Sequence, residues 1–202
     1  CKNFPQEKIT KINSFVEIDG DKSLDNFLEK NNFNKNFDFL SIDIDSYDYY
    51  IFESLKNFNP KVVCIEYNPT IPNEVSFVQK KKQTNHGSSA KALIDMANKK
   101  NYFVVCATKS NLFFIHSDFK KYVIGDKTYK INDLIDDTDI KNYIFYGYDG
   151  SIFTSKEVKL PWHNFLVKDL NVLKGFLRKY PRNYNYIEKI IFKVYRKIKK
   201  YI

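Results

Sequence analysis

The sequence is poor in glycine and has no long apolar run. Six glycines are spread over 202 residues, and no glycine-rich turn precedes the first predicted strand. No apolar run approaches the length of about 18 residues that a membrane-spanning helix needs. The chain does not open with a basic region, an apolar stretch and small residues, so the sequence predicts no signal peptide. We therefore expect a globular protein of the cytoplasm.

Cysteine is also scarce, with three residues in the chain. Cys64 and Cys106 lie within apolar β-type segments, which predicts that both are reduced residues of the core. No spacing of cysteine and histidine indicates zinc. The sequence begins with Cys1, and since translation does not start at cysteine, we expect a processed chain or a piece of a longer protein.

The net charge of +9 is concentrated at one end of the chain. Residues 178–202 contain nine lysines and arginines and one acid, whereas the other 177 residues contain 24 basic and 23 acidic ones. A nucleic-acid-binding domain spreads basic residues over its binding face. Because the predicted domain is nearly neutral, we expect no nucleic-acid partner.

Apolar patterns of period two alternate with patterns of helical period, and this order is typical of an α/β domain. Strands are predicted at 12–18, 37–44, 60–67, 101–108 and 111–117, the last two as a hairpin, and helices at 24–33, 46–58 and 90–101. Ser23 is the predicted cap of the first helix, and Ser88 or Ser89 that of the third. The strand at 60–67 is nearly all apolar, as expected for a strand that is covered on both faces. A connection of about twenty residues follows the third strand and is long enough to be a lid or a substrate loop.

Three regions are predicted along the chain. Residues 1–118 form the α/β domain, residues 119–177 form a small irregular extension with short strands and a turn at 148–150, and residues 178–202 form a basic amphipathic helix. The helix has apolar residues at helical spacing, at positions 187, 190, 191, 194, 198 and 202. Such a helix could contact an anionic membrane surface or a protein partner, or it could be a solvated helix with an ordinary packing stripe.

Polar side chains follow two neighbouring predicted strands. Asp43 and Asp45 come at the end of one strand, and Glu66 and Asn68 come at the end of the next. In open α/β sheets, ligands bind beyond the carboxyl ends of the parallel strands. We therefore expect these side chains to converge on one crevice, or else to serve only at the start of the following helix.

Three segments, DFLSIDIDSYDYYIFESL, KVVCIEYNPTIP and GSSAKALIDMANKKNYFVVCATKSNLFFIHSD, resemble the second half of S-adenosylmethionine-dependent methyltransferases of the FkbM-like group. The resemblance covers roughly residues 12–118. It implies a Rossmann-like, mostly parallel sheet that ends in an antiparallel hairpin. It also implies methyl transfer from S-adenosylmethionine to an oxygen, for example on a sugar or polysaccharide precursor.

The resemblance also implies roles for the residues at the strand ends. Asp43 and Ser46 would contact the cofactor, and Asp43 and Asp45 would line the junction between cofactor and acceptor. Glu66 and Asn68 would orient the substrate. Asp45, Glu66 and Asn68 would be ligands if the site holds Mg²⁺, which prefers oxygen. Ser46 stands where the family usually has glycine, and the glycine-rich front half is missing, so we predict that these residues alone bind the cofactor weakly or not at all.

His86 lies in the long loop and is the candidate general base for a hydroxyl acceptor, with a solvent-exposed loop residue as the alternative. Two other functions compete with methyl transfer. Asp43-Ile44-Asp45 is also the D-x-D pattern with which glycosyltransferases hold a metal and a nucleotide sugar. The domain could instead be non-catalytic and act through its basic tail. The basic tail fits a cytoplasmic protein that associates peripherally with a membrane.

Overall fold

The computed structural model describes residues 9–82, 85–159, 163–167, 169–171 and 179–198. Its helices are α1 (Leu24–Lys30), α2 (Asp48–Ser54), α3 (Ala90–Lys99), α4 (Ser117–Ile124), α5 (Ile131–Leu134) and α6 (Tyr186–Ile198). Its strands are β1 (Phe39–Ile42), β2 (Val62–Glu66), β3 (Tyr102–Ala107), β4 (Asn111–His116), β5 (Ile144–Tyr146), β6 (Ile152–Thr154), β7 (Val158–Lys159) and β8 (Leu166–Val167). The chain divides into two compact units, Cys1–Ile140 and Lys141–Ile202.

The first unit contains a four-stranded sheet of order β1-β2-β4-β3. Strand β1 pairs with β2 in parallel, and β4 is antiparallel to both β2 and β3. Three strands therefore point the same way, and β4 is inserted between two of them. The mixed α/β sheet and its terminal hairpin agree with the sequence prediction, and the carboxyl ends of β1 and β2 lie side by side.

One face of this sheet forms the core. Residues at alternate positions of all four strands are buried there, as the period-two pattern of a strand requires. They are Leu40, Ile42, Val63, Ile65, Tyr102, Val104, Leu112 and Phe114. Helices α2 and α3 contribute Phe52 and Leu93, which are both fully buried in the same cluster. Their packing fixes the start of α2 relative to the strand ends.

Helix boundaries follow capping signals in the sequence. The Ser23 side chain accepts a hydrogen bond from the Asn26 N–H at the start of α1, and the Ser89 side chain accepts one from the Ala92 N–H at the start of α3. A serine in this position satisfies a backbone donor that has no partner within the helix. Both caps were predicted from sequence, the second as either Ser88 or Ser89.

The strand predicted at 12–18 was wrong. This segment forms a single isolated bridge, between Glu17 and Ser23, and Phe15 is 87% exposed. A β-branched run becomes a strand only when another strand supplies hydrogen-bond partners. Within the described residues no strand lies beside it, whereas Val16 and Ile18 pack against the core as irregular chain.

The prediction for Cys106 was also wrong, whereas Cys64 is buried as predicted. Strand β3 is an edge strand, and its pairing with β4 shifts register between Val104 and Cys106. A bulge of this kind changes which side chains face the core. The thiol of Cys106 is consequently exposed.

The second unit contains two short hairpins and α6. The predicted turn at 148–150 joins β5 to β6, where the Gly147 N–H donates to the Ser151 carbonyl at 2.8 Å. Gly150 has a φ of 80°, a conformation that glycine adopts without a steric cost. The predicted C-terminal helix is present over Tyr186–Ile198, and residues 199–202 lie outside the described part. Among the described residues, no helix combines the length and the apolar character needed to cross a bilayer.

Candidate functional site

Three carboxylates converge where β1 and β2 end. Oxygen atoms of Asp43, Asp45 and Glu66 lie within 4.8 Å of one another. The parallel register places Ile42 beside Ile65, so Asp43, just beyond β1, and Glu66, the last residue of β2, are neighbours. The convergence predicted from sequence is therefore present for these three carboxylates.

Asp45 joins the cluster through a turn rather than through strand alternation. Strand β1 ends at Ile42, and Asp45 has a φ of 59°, in the left-handed region. Aspartate tolerates this region better than most residues. Ser46, at the family's glycine position, does not have a positive φ, so the left-handed residue of this turn is the one before it.

Asp48 organises the turn from within. Its side chain is 5% exposed, and its two oxygens accept hydrogen bonds from the Ile44 N–H at 3.0 Å and the Ser46 N–H at 3.1 Å. These bonds satisfy backbone donors that precede α2 and fix the path between Asp43 and Asp45. Asp48 therefore stabilises the turn that carries Asp43 and Asp45.

The long loop after β2 is tied to this turn by buried polar groups. Gln79 is completely buried, and its Oε1 accepts hydrogen bonds from the N–H groups of His86 at 2.8 Å and Gly87 at 2.9 Å. The hydroxyl of Ser46 accepts one from the Asn85 N–H at 2.8 Å. The Tyr50 hydroxyl of α2 donates to the Gln79 carbonyl at 2.7 Å. The described part of the loop thus packs against the turn that carries the carboxylates.

The side chain of Asn68 also makes hydrogen bonds to the loop. Its amide nitrogen donates to the His86 carbonyl at 2.6 Å, and its Oδ1 accepts hydrogen bonds from the N–H and the hydroxyl of Thr70 at 2.8 and 2.7 Å. An amide oxygen has two lone pairs. Both are engaged here, and the position of Asn68 is set by the loop. Its predicted roles in binding substrate or metal stay predictions.

His86 is exposed, and the structure uses its backbone rather than its ring. The N–H group binds Gln79, and the carbonyl accepts from Asn68. Glycine follows it, with a φ of 62°, and a Cβ on Gly87 would approach the Asn68 Cβ to 3.4 Å. The loop therefore lies in close contact with the chain that follows β2. The role of His86 as a general base stays a prediction.

The electrostatic environment of the cluster is strongly negative. Burial raises the pKa of the Glu66 carboxyl, and the charges of Asp43, Asp48 and Asp45 raise it further. Burial also raises the pKa of Asp48, although the N–H groups of Ile44 and Ser46 oppose that shift. Among the ion pairs of the described residues, none includes Asp43, Asp45 or Glu66. The cluster is therefore suited to a cation or to a ligand with several hydrogen-bond donors.

The donor set fits a hard divalent cation in its chemistry. Mg²⁺ and Ca²⁺ take oxygen ligands, and three carboxylate oxygens are available at short mutual distances. Asp43 and Asp45 are exposed and Glu66 is half-buried, so the cluster opens to solvent. Exposed acids also gather on proteins without a metal. A cavity of about 220 Å³ between α3, β3 and residues 124–129 has none of these carboxylates in its lining.

Comparison with known families found a match within the first unit. Residues 15–104 match the family model of the methyltransferase FkbM domain. This segment is FkbM-like. It extends from before α1 to the first half of β3 and contains the three converging carboxylates, Asp43, Asp45 and Glu66. Neither the curated proteins nor the solved structures gave a match to the chain.

Sequence reasoning missed two residues that shape the site of the FkbM-like segment. Asp48 was visible as the third acid after β1, but nothing in its spacing showed that it faces inward. Gln79 is one polar residue in a polar loop, and no local pattern distinguishes it. Its partners include Ser46 and Tyr50, 33 and 29 positions away, which only folding brings together.

Proposed function

We propose that the FkbM-like segment transfers a methyl group from S-adenosylmethionine to an oxygen acceptor, such as a hydroxyl of a sugar or polysaccharide precursor. The observation that supports this most is the meeting of Asp43, Asp45 and Glu66 at the carboxyl ends of two parallel strands inside a segment that matches a methyltransferase family. Ligands of open α/β sheets bind at such strand ends.

The chemistry needs an acceptor oxygen, its proton and a positioned methyl donor. The acceptor oxygen attacks the methyl carbon, the carbon–sulfur bond breaks with its electron pair going to sulfur, and the acceptor proton passes to a base. Asp43 would accept hydrogen bonds from S-adenosylmethionine, and Asp45 would hold the hydroxyl group that receives the methyl group. The ring of His86 is exposed on the adjoining loop and is the proposed base.

Glu66 would orient the acceptor. Burial and the neighbouring negative charges raise its pKa, which favours the protonated carboxyl, and a protonated carboxyl can donate as well as accept hydrogen bonds. If Mg²⁺ binds, Asp43, Asp45 and Glu66 would hold it, and it would lower the pKa of the acceptor hydroxyl.

The described residues offer an open edge rather than an enclosed pocket for the donor. Asp43 and Asp45 are exposed, and no glycine-rich turn lies ahead of β1 in the sequence. We therefore propose that the 202-residue chain alone binds S-adenosylmethionine weakly. Micromolar affinity in calorimetric titration would contradict this part of the proposal.

A titration followed by amide NMR tests the site in the weak-binding range. Added S-adenosylmethionine should shift the amide signals of residues 43–48 and 66–68, and Asp43→Asn should weaken binding about tenfold, the loss expected for one charge-assisted hydrogen bond. Asp38→Asn is the matched control, because Asp38 is an exposed carboxylate just before β1, at the opposite end of that strand. Shifts confined to other parts of the chain would refute the proposed site.

The same titration separates methyl transfer from the competing use of Asp43-Ile44-Asp45. A glycosyltransferase would bind a nucleotide sugar only with a divalent metal such as Mn²⁺. Binding of a nucleotide sugar with Mn²⁺, together with no response to S-adenosylmethionine, would favour that function. A labelled methyl group appearing on a hydroxyl-bearing glycan, and its loss in Asp45→Asn, would support the proposal.

A further inference from the structure

Helix α6 in the second unit presents an apolar face to solvent. Five aliphatic side chains share this face, since they recur three and four positions apart. They are Ile187, Ile190, Ile191, Val194 and Ile198, and each is between 46 and 67% exposed. Tyr195 borders the face and is 57% exposed.

The other side of α6 is basic. Four exposed cations lie there, Lys189, Lys193, Arg196 and Lys197. The helix contains one acid, Glu188, whose side chain accepts hydrogen bonds from the Lys179 ammonium at 2.9 Å and the Asn185 N–H at 2.8 Å. That acid is used to begin the helix, because the Asn185 side chain accepts from the Glu188 N–H in return. The cations are therefore not neutralised along the helix.

Such a helix needs an apolar environment on one side. It has 13 residues, and helices of about 12 to 15 residues are marginal in water when nothing packs against them. Isoleucine and valine are weaker helix formers than leucine or alanine. Phe192 packs against Tyr184, just before the helix, with 5.4 Å between ring centroids, whereas the five aliphatic side chains are exposed in the described part of the chain. An occupant for this face would stabilise the helix.

We propose that α6 binds in the headgroup region of an anionic lipid surface. Its five aliphatic side chains would enter the acyl boundary, and its lysines and arginine would contact the headgroups. Charge complementarity selects this occupant, because four uncompensated cations on a short amphipathic helix are typical of binding to acidic phospholipids. A protein interface would be expected to centre on tryptophan, tyrosine or arginine rather than on isoleucine.

The length of α6 fits a helix that lies along the surface. Thirteen residues extend for about 20 Å, less than the 30 Å of a bilayer core. The proposal does not depend on the methyltransferase activity. It gives the second unit a function of its own, which would keep the chain near lipid-linked or membrane-bound molecules.

Vesicle co-sedimentation of the full chain tests the proposal. The chain should bind vesicles of phosphatidylcholine containing about 30% phosphatidylserine and should not bind phosphatidylcholine alone. Raising the salt from about 0.1 to about 0.5 M should release it, since surface charges are then screened. Equal binding to both kinds of vesicle, or no binding to either, would overturn the proposal.

Two variants address the two faces separately. Replacing Lys189, Lys193 and Lys197 by glutamine should weaken binding about 100-fold, at roughly 1 kcal/mol for each cation. The matched control replaces Lys80, Lys81 and Lys82, three exposed lysines of the long loop, and should bind like the parent chain. Equal losses in both triple variants would mean that only net charge matters, which would overturn the assignment to α6.

The apolar face is tested by Ile190→Ser combined with Val194→Ser. This variant should lose binding at least tenfold, whereas Tyr122→Ser combined with Val123→Ser, at exposed apolar residues of α4, should not. Circular dichroism with vesicles should show a gain of helix in the parent chain only. Self-association of the parent that the α6 serines abolish, without vesicle binding, would assign the face to a second copy and refute the lipid proposal.

Discussion

At the scale of single residues, Gln79 connects the long loop with the turn that carries the carboxylates. Its Oε1 is the acceptor for two consecutive backbone N–H groups, those of His86 and Gly87. Buried backbone donors without a partner cost about 1 to 3 kcal/mol each. The position of the loop at His86 and Gly87 therefore depends on a side chain that performs no chemistry itself.

Replacing Gln79 by alanine should lower the free energy of unfolding by about 1 to 3 kcal/mol, because two partly buried N–H groups lose their acceptor. Urea denaturation measures this change, and hydrogen exchange at His86 and Gly87 should become faster. Lys80→Ala, at the exposed neighbouring residue, serves as the control and should change stability little. An unaltered unfolding midpoint in Gln79→Ala would show that water replaces the side chain.

Glu66 gives the protein a specific dependence on pH. Its pKa is higher in the folded protein than in the unfolded chain, so folding favours its protonated form. The associated stability is fully present below the ordinary pKa of about 4.5 and is lost as the pH rises through the raised value. Asp48 shifts in the same direction and adds to the effect.

Glu66→Gln should therefore stabilise the protein at neutral pH, by up to about 1 kcal/mol, because it removes repulsion within the cluster. The stability profile measured by denaturation between pH 4 and 7, an interval set by the ordinary carboxyl range, should become flatter in the variant. Glu29→Gln, on the exposed side of α1, is the control. If Glu66→Gln were less stable than the parent at neutral pH, the charged carboxylate of Glu66 would have to make a favourable contact in the folded protein.

At the scale of secondary-structure elements, the turn between β1 and α2 decides where the acids point. The left-handed conformation of Asp45 reverses the chain, and the side chain of Asp48 binds the N–H groups on either side of it. Both features lie within the motif that the sequence already marks as unusual. The carboxylates meet because the turn is held, rather than because they alternate along a strand.

Asp48→Ala should destabilise the fold by about 2 to 3 kcal/mol, since the N–H groups of Ile44 and Ser46 lose a buried acceptor. Asp48→Asn keeps one acceptor oxygen and should cost less. Thermal denaturation ranks the two variants. NMR shifts of residues 43–46 should move in Asp48→Ala and stay close to the parent in Asp48→Asn, and identical spectra for all three proteins would contradict this role.

At the scale of the whole molecule, the apolar core belongs to the first unit. Every buried apolar residue of the described chain lies between Leu28 and Ile115, and the partly buried ones that pack against it extend from Val16 to Ile135. The described residues of the second unit include short hairpins and α6, and none of their apolar side chains is buried.

A chain ending at Ile140 should therefore fold by itself, because it retains the complete core of the first unit. Its cooperative unfolding transition should lie within about 1 kcal/mol of the same transition in the full chain, as expected for regions that do not share a core. It should no longer bind anionic vesicles, because α6 is removed. Loss of the cooperative transition would show that the first unit needs residues beyond 140.

The sequence alone predicted the elements whose patterns are local. The caps at Ser23 and Ser89, the buried run of β2 and the terminal hairpin all follow from short-range chemistry, and so does the expectation that acids at neighbouring strand ends converge. The resemblance to FkbM-like methyltransferases also came from three contiguous segments, and the family match to residues 15–104 agrees with it.

Only the tertiary structure decided the features that depend on distant partners. Residues 12–18 have strand-like composition but no neighbouring strand among the described residues, and Cys106 is exposed because a bulge changes its side of the sheet. The burial of Gln79 likewise depends on contacts with Ser46 and Tyr50 that form only on folding. A pattern in the sequence fixes what a segment prefers, whereas the availability of a hydrogen-bond partner or a packing surface decides whether that preference is realised.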